Sequence, residues 1–153
     1  MAANASRVNQ LLDTLAAVTL RATGLTAAVA TGTNTPISLN ELRTAYWSNF
    51  EIPHGKMVVG ISVSSPVGTN ETYVINLLVD DVVAMNNSPV TIDTFTVPRG
   101  TVGFFSRIID CKDIPGLDPD HDGLGKWLQL THTLGGTSPS LTYSAWLCRS
   151  LGE

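Results

Sequence analysis

Six consecutive residues hold the densest grouping of potential ligand atoms in the chain, Asp118-Pro119-Asp120-His121-Asp122-Gly123. Carboxylates at alternate positions can converge on one hard cation, and a following glycine permits a sharp turn. That is the spacing of a calcium loop. Asp118, Asp120 and Asp122 are therefore the candidate metal ligands, with Ca2+ as the expected ion. Two features weigh against it. The position that would supply a bidentate Glu is Gln129, and no helical pattern flanks the loop. An acidic surface turn, neutralised by Lys126 or His121, is the competing reading. Loops as long as 112–125 are uncommon in compact domains and are often functional, so a subunit contact is a further use for it.

Other reactive groups are scattered. The histidines are His54, His121 and His132, and His132 lies on a predicted strand with no Ser, Cys or carboxylate nearby in sequence. The chain has no G-x-S-x-G elbow, phosphate-cradling glycine loop or H-E-x-x-H motif. The expectation is a protein without enzymatic activity. Cys111 and Cys148 lie in separate predicted strands with no zinc-like spacing, and are expected as free, buried thiols. Trp47, Trp127 and Trp146 could form a sugar platform if exposed in a row, but Trp more often fills a core or an interface.

Composition narrows the partners. Only 14% of the 153 residues are charged, against about 25% in an average globular chain. A surface left to Ser, Thr, Asn and small apolar groups suits contact with other subunits. The net charge is −4 and the nine Lys and Arg residues do not cluster, which argues against nucleic acid as a partner. No stretch approaches the roughly 18 apolar residues of a membrane span. The apolar run 11–20 carries Asp13 and follows no basic segment, so no signal peptide is expected and the chain is read as made in the cytoplasm. Asn4 and Asn70 match a glycosylation pattern that has no meaning without secretion.

The positioning elements follow from periodicity. Val8, Leu11, Leu12 and Leu15 form one helical stripe, so residues 1–20 are expected as a helix or arm, packed on the chain's own sheet or docked on a neighbour. Residues 21–153 are expected as a single β-sandwich. Short strands are predicted at 19–23 and 26–31, a turn of helix or link at 40–46, and longer strands at 57–64, 72–80, 90–97 and 101–111. Residues 66–70 are read as a turn. The run KWLQLTHTLGGTSPSLTYSAWLC, 126–148, alternates on both sides of a Gly-rich break and is read as the closing hairpin of an antiparallel sheet.

An arm, small-residue strands, MVVGISVSS, TYVINLLVDD, the turn PRG, GFFSRIID and a final pair WLQLTHT and SLTYSAWL follow in that order. This layout resembles the small jelly-roll decoration (cement) proteins of tailed-phage capsids, over roughly residues 20–148. The DPDHDG stretch falls outside the resemblance. What it implies is an all-β, jelly-roll-like antiparallel sandwich that forms a homotrimer, binds the major capsid protein on the outside of an icosahedral shell, and stabilises capsomer contacts. The location implied is the virion surface. A self-assembling capsid or tail subunit and a carbohydrate-binding module are the competing readings.

Overall fold

The computed structural model describes residues 18–42, 56–114 and 126–149, with Arg149 described by its backbone alone. The helical stripe at 8–15, the candidate ligands Asp118, Asp120 and Asp122, and also Trp47, His54 and His121, lie outside the described residues.

Among the described residues, nine strands form two antiparallel sheets. They are β1 (Val18–Arg21), β2 (Gly32–Thr33), β3 (Ile37–Ser38), β4 (Lys56–Val67), β5 (Thr72–Asp80), β6 (Val90–Thr96), β7 (Gly103–Asp110), β8 (Trp127–Gly135) and β9 (Ser140–Arg149). The first sheet has the order β1-β9-β4-β7. The second has β2-β8-β5-β6, with β3 also pairing to β8 beyond β2. A single helical turn, α1 (Leu39–Glu41), follows β3 and is capped by the Ser38 hydroxyl, which accepts from the Glu41 N–H at 3.4 Å. The all-β sandwich expected from periodicity is the observed architecture. Its first strand starts at Val18, so the last residues assigned to the arm belong to the sheet.

Alternation dictates the core. Met57, Val59, Ile61 and Val63 of β4 point inward, beside Leu147, Ala145 and Tyr143 of β9. Tyr73, Ile75, Leu77 and Val79 of β5 face them from the other sheet, beside Leu128 and Leu130 of β8. Inner faces of stacked sheets lie about 10 Å apart and interdigitate.

Strand β4 runs on into the first two residues of the expected turn at 66–70, and the chain turns at 68–70. A bulge between Val63 and Ser65 shifts the register by one, so Pro66 arrives on the inner side opposite Leu141. Strand β7 pairs with β4 only as far as Val63, so the missing Pro66 N–H has no β7 partner to lose. At 26–31 the expected strand reduces to a single bridge, Ala28 to Leu141.

The expected closing hairpin is not one. Strand β8 pairs with β5, β2 and β3, whereas β9 pairs with β4 and β1. The chain between them arches from one sheet to the other. A two-residue period states which side chains are buried, not which strand lies alongside, and both arrangements bury the same rows. In the arch, the inner rows of β8 and β9 face each other across the core instead of lying side by side, and His132 meets the Tyr143 hydroxyl at 3.0 Å. Gly136 makes the crossing with φ +105°, and a Cβ there would fall 2.7 Å from the Cα of Glu71. The buried Glu71 carboxylate holds the arch by accepting from the Ser138 N–H at 3.2 Å and from the Asn70 N–H at 2.9 Å. Burial opposes the charged form, but donors from Ser138, Asn70 and neighbouring backbone outweigh it and hold the Glu71 pKa below its usual value.

Candidate functional site

Each flank of the sandwich is closed by a different device. On the β1/β2 flank a polar cluster lies between the sheets. The Tyr143 hydroxyl is 3.0 Å from His132 Nδ1 and accepts from Asn34 Nδ2 at 3.1 Å. The Arg21 guanidinium lies over the Tyr143 ring, 4.6 Å from its centre, and donates to the carbonyls of Tyr143 and Thr26 and to Asn34 Oδ1. Gln129 Nε2 donates to the Asn34 carbonyl at 2.8 Å. Burial, with the nearby Arg21 charge, pushes the His132 pKa down, and a hydrogen bond to the Ala30 backbone offsets only part of this. The surroundings therefore favour the neutral ring. This grouping of Arg, His, Tyr and Asn resembles a catalytic set in composition, yet its donors and acceptors are turned on one another and on backbone. Its chemistry is to satisfy polar groups where the sheets part.

The β6/β7 flank is closed by Phe95 against Phe105, with ring centres 4.9 Å apart, and by Arg107, which grips Asp93 through two hydrogen bonds of 3.0 Å. Both pairs join strands of opposite sheets. The ion pair is largely solvent-exposed on the Arg side, so it contributes about 1 kcal/mol or less.

The two broad outer faces carry the observation that matters for function. On the first sheet the outward row crossing β9, β4 and β7 reads Trp146, Gly60, Ser106. The rows on either side read Ser144, Ser62, Phe104 and Cys148, Val58, Ile108. Gly60 lets Phe104 lie flat, because a Cβ there would meet the ring at 3.0 Å. The Phe104 and Trp146 rings stand 6.5 Å apart. Phe104 remains 52% exposed and Ile108 69%. On the second sheet the outward side chains of β8, β5 and β6 read Gln129, Leu78, Thr91, then Thr131, Asn76, Thr94, then Thr133, Val74, Thr96. No ionisable carboxylate, amine or guanidinium stands in any of these rows. The described charges sit at the ends and flanks: Lys126 pairs with Asp81, Lys112 with Asp110, and Arg99 donates to the carbonyls of Glu71 and Thr69.

The two described tryptophans are not neighbours. Trp127 points out from the second sheet and Trp146 from the first, because the arch puts β8 and β9 in different sheets. Both cysteines are free and buried. Burial, reinforced by Asp110, pushes the Cys111 thiol up to about 12, and burial raises Cys148. Among the described residues no cluster of His, Cys, Asp and Glu could hold a metal, and no helix is long and apolar enough to cross a membrane.

Sequence reading missed Phe104, Ile108 and Gly60. A signal was present in GFFSRIID: Phe104 and Ile108 alternate with Phe105 and Ile109, so both faces of the strand are apolar. That is the signature of a strand covered on both sides, here found at an edge. No family model matches the chain, and no curated protein matches its sequence.

Proposed function

We propose that this chain is a virion structural protein, a decoration or cement protein that binds the outside of an icosahedral phage shell as a trimer and strengthens contacts between capsomers. The observation that carries the reading is the pair of broad faces without charge, one of them apolar and aromatic. Desolvating such faces removes no ion from water, so burial at about 25 cal/mol per Å² of apolar area is not offset by an ionic penalty. Cyclic association would multiply weak shell contacts through avidity. The strand order adds support. Counting β2 and β3 as one strand, the eight strands alternate as two nested Greek keys do, which favours the jelly-roll form of the sandwich.

The test is to add purified protein to shells that lack it and to measure bound protein and shell disruption temperature. Saturable binding at lattice stoichiometry with a higher disruption temperature is expected. Absence of binding, with a monomeric mass by light scattering, would overturn the proposal.

The Phe104–Trp146 pair favours one competing reading, a carbohydrate-binding module, since an exposed ring beside a half-buried one can stack on sugar faces. Retention on immobilised polysaccharide that is lost in Phe104→Ala would favour it.

A further inference from the structure

Among the described residues, four strand edges bound the two sheets, and three of them are blunted. Strand β1 has four residues and an irregular register between Thr19 and Arg21. The β2–β3 edge is two pieces of two residues, with Pro36 between them. Strand β6 is kinked where its pairing shifts at Leu77 and Leu78. Such interruptions keep an edge from recruiting another strand. The fourth edge has none of them. Strand β7 pairs with β4 over eight consecutive registers without a break, contains neither Pro nor Lys, and pairs with no other strand among the described residues.

We propose that β7 is a docking edge for β7 of a second copy, antiparallel and centred on Ser106. The sequence is self-complementary in that register. Ser106 meets Ser106 of the second copy, each Phe104 meets an Ile108, and the apolar strip runs unbroken from one first sheet into the other. Charges fall well too. Arg107 comes opposite a Phe105, and Asp110 opposite a Val102, so no like charges meet. A shift of one residue toward Arg107 would set the two guanidinium groups against each other. The contact is isologous and therefore closes on a two-fold axis. This deepens the cement reading and rests on it for its biological setting. Trimers on an icosahedral shell face one another across two-fold axes, and a shared sheet there would tie them into a net.

Ser106→Cys tests the register directly. Residues opposite one another in an antiparallel pair have Cα atoms about 4.5–5.5 Å apart, within the range of a disulfide, and the native thiols are buried. Under mild oxidation, S106C is expected to form covalent dimers at least tenfold faster than the exposed control Ser64→Cys. Adding Ile108→Lys should abolish the difference. Equal rates for S106C and S64C would overturn the proposal. Light scattering of the wild type separates its failure from that of the trimer. A linked pair with trimer or hexamer mass supports both ideas, and a linked pair with only dimer mass supports the edge contact and removes the trimer. Trimer mass without linking removes the edge contact alone, and monomer mass without linking removes both.

Discussion

His132, Tyr143 and Asn34 show how single side chains are used here. The Tyr143 hydroxyl serves both partners, so Tyr143→Phe leaves buried polar groups without their bond. A loss of about 1–3 kcal/mol in denaturant unfolding is expected. The lowered His132 pKa has a definite sign. As pH falls below 6.5 the unfolded chain takes up the proton first, so stability declines with acidification in that window. His132→Gln should flatten the slope there. Glu71 acts lower on the scale. Its pKa is depressed, so its contribution is present above 4.5 and is lost as pH falls through the folded value, and Glu71→Gln should remove that part of the acid limb. The thiols offer a separate check. With Cys111 pushed up to about 12 and Cys148 also raised, neither should react with a thiol reagent at pH 8 until the protein unfolds. The Asp118, Asp120 and Asp122 proposal rests on spacing alone. If it is right, Ca2+ raises the melting midpoint relative to chelator, and coincident midpoints remove it.

At the scale of elements, each face of β4 and β7 has its own task. Ile61 faces the core at 2% exposure, whereas Ile108 stands 69% exposed on the outer face. Ile61→Ala should cost about 2–5 kcal/mol, and Ile108→Ala should change monomer stability by about 0.5 kcal/mol or less. The reverse ranking is expected for association, measured by light scattering and shell binding. The β8–β9 arch is held against the start of β5 by the Glu71 carboxylate and by the close approach of Gly136 to Glu71. Much of this scale was legible in advance. Strand 72–80 is observed where periodicity put it, those at 57–64, 90–97 and 101–111 differ at their ends by one to three residues, and the run 126–148 holds the two strands read in it, though in opposite sheets. The prediction failed where a local irregularity intervened, at the Ser64 bulge that carries Pro66 into β4, and at 26–31, where one bridge replaces a strand.

Across the described residues, charge sits at the ends and flanks of the sheets, and the rows of the broad outer faces carry none. Association through such faces depends little on ionic strength, since salt screens charge pairs and leaves apolar burial intact. Oligomer mass and shell binding should therefore persist at 1 M NaCl. A steep loss with salt would point instead to contacts made by the charged ends.

The order of apolar and polar residues by itself determined that the chain is β, which side chains enter the core, and that few charges are available to its surface. Only the tertiary structure decided that β8 and β9 lie in opposite sheets, that the two described tryptophans point apart, and that β7 has no partner but β4 among the described residues. The reason is that alternation records burial, a property of each residue separately. Strand partnership is a property of pairs far apart in the chain, chosen by how the inner faces fit and by which turns can cross between them.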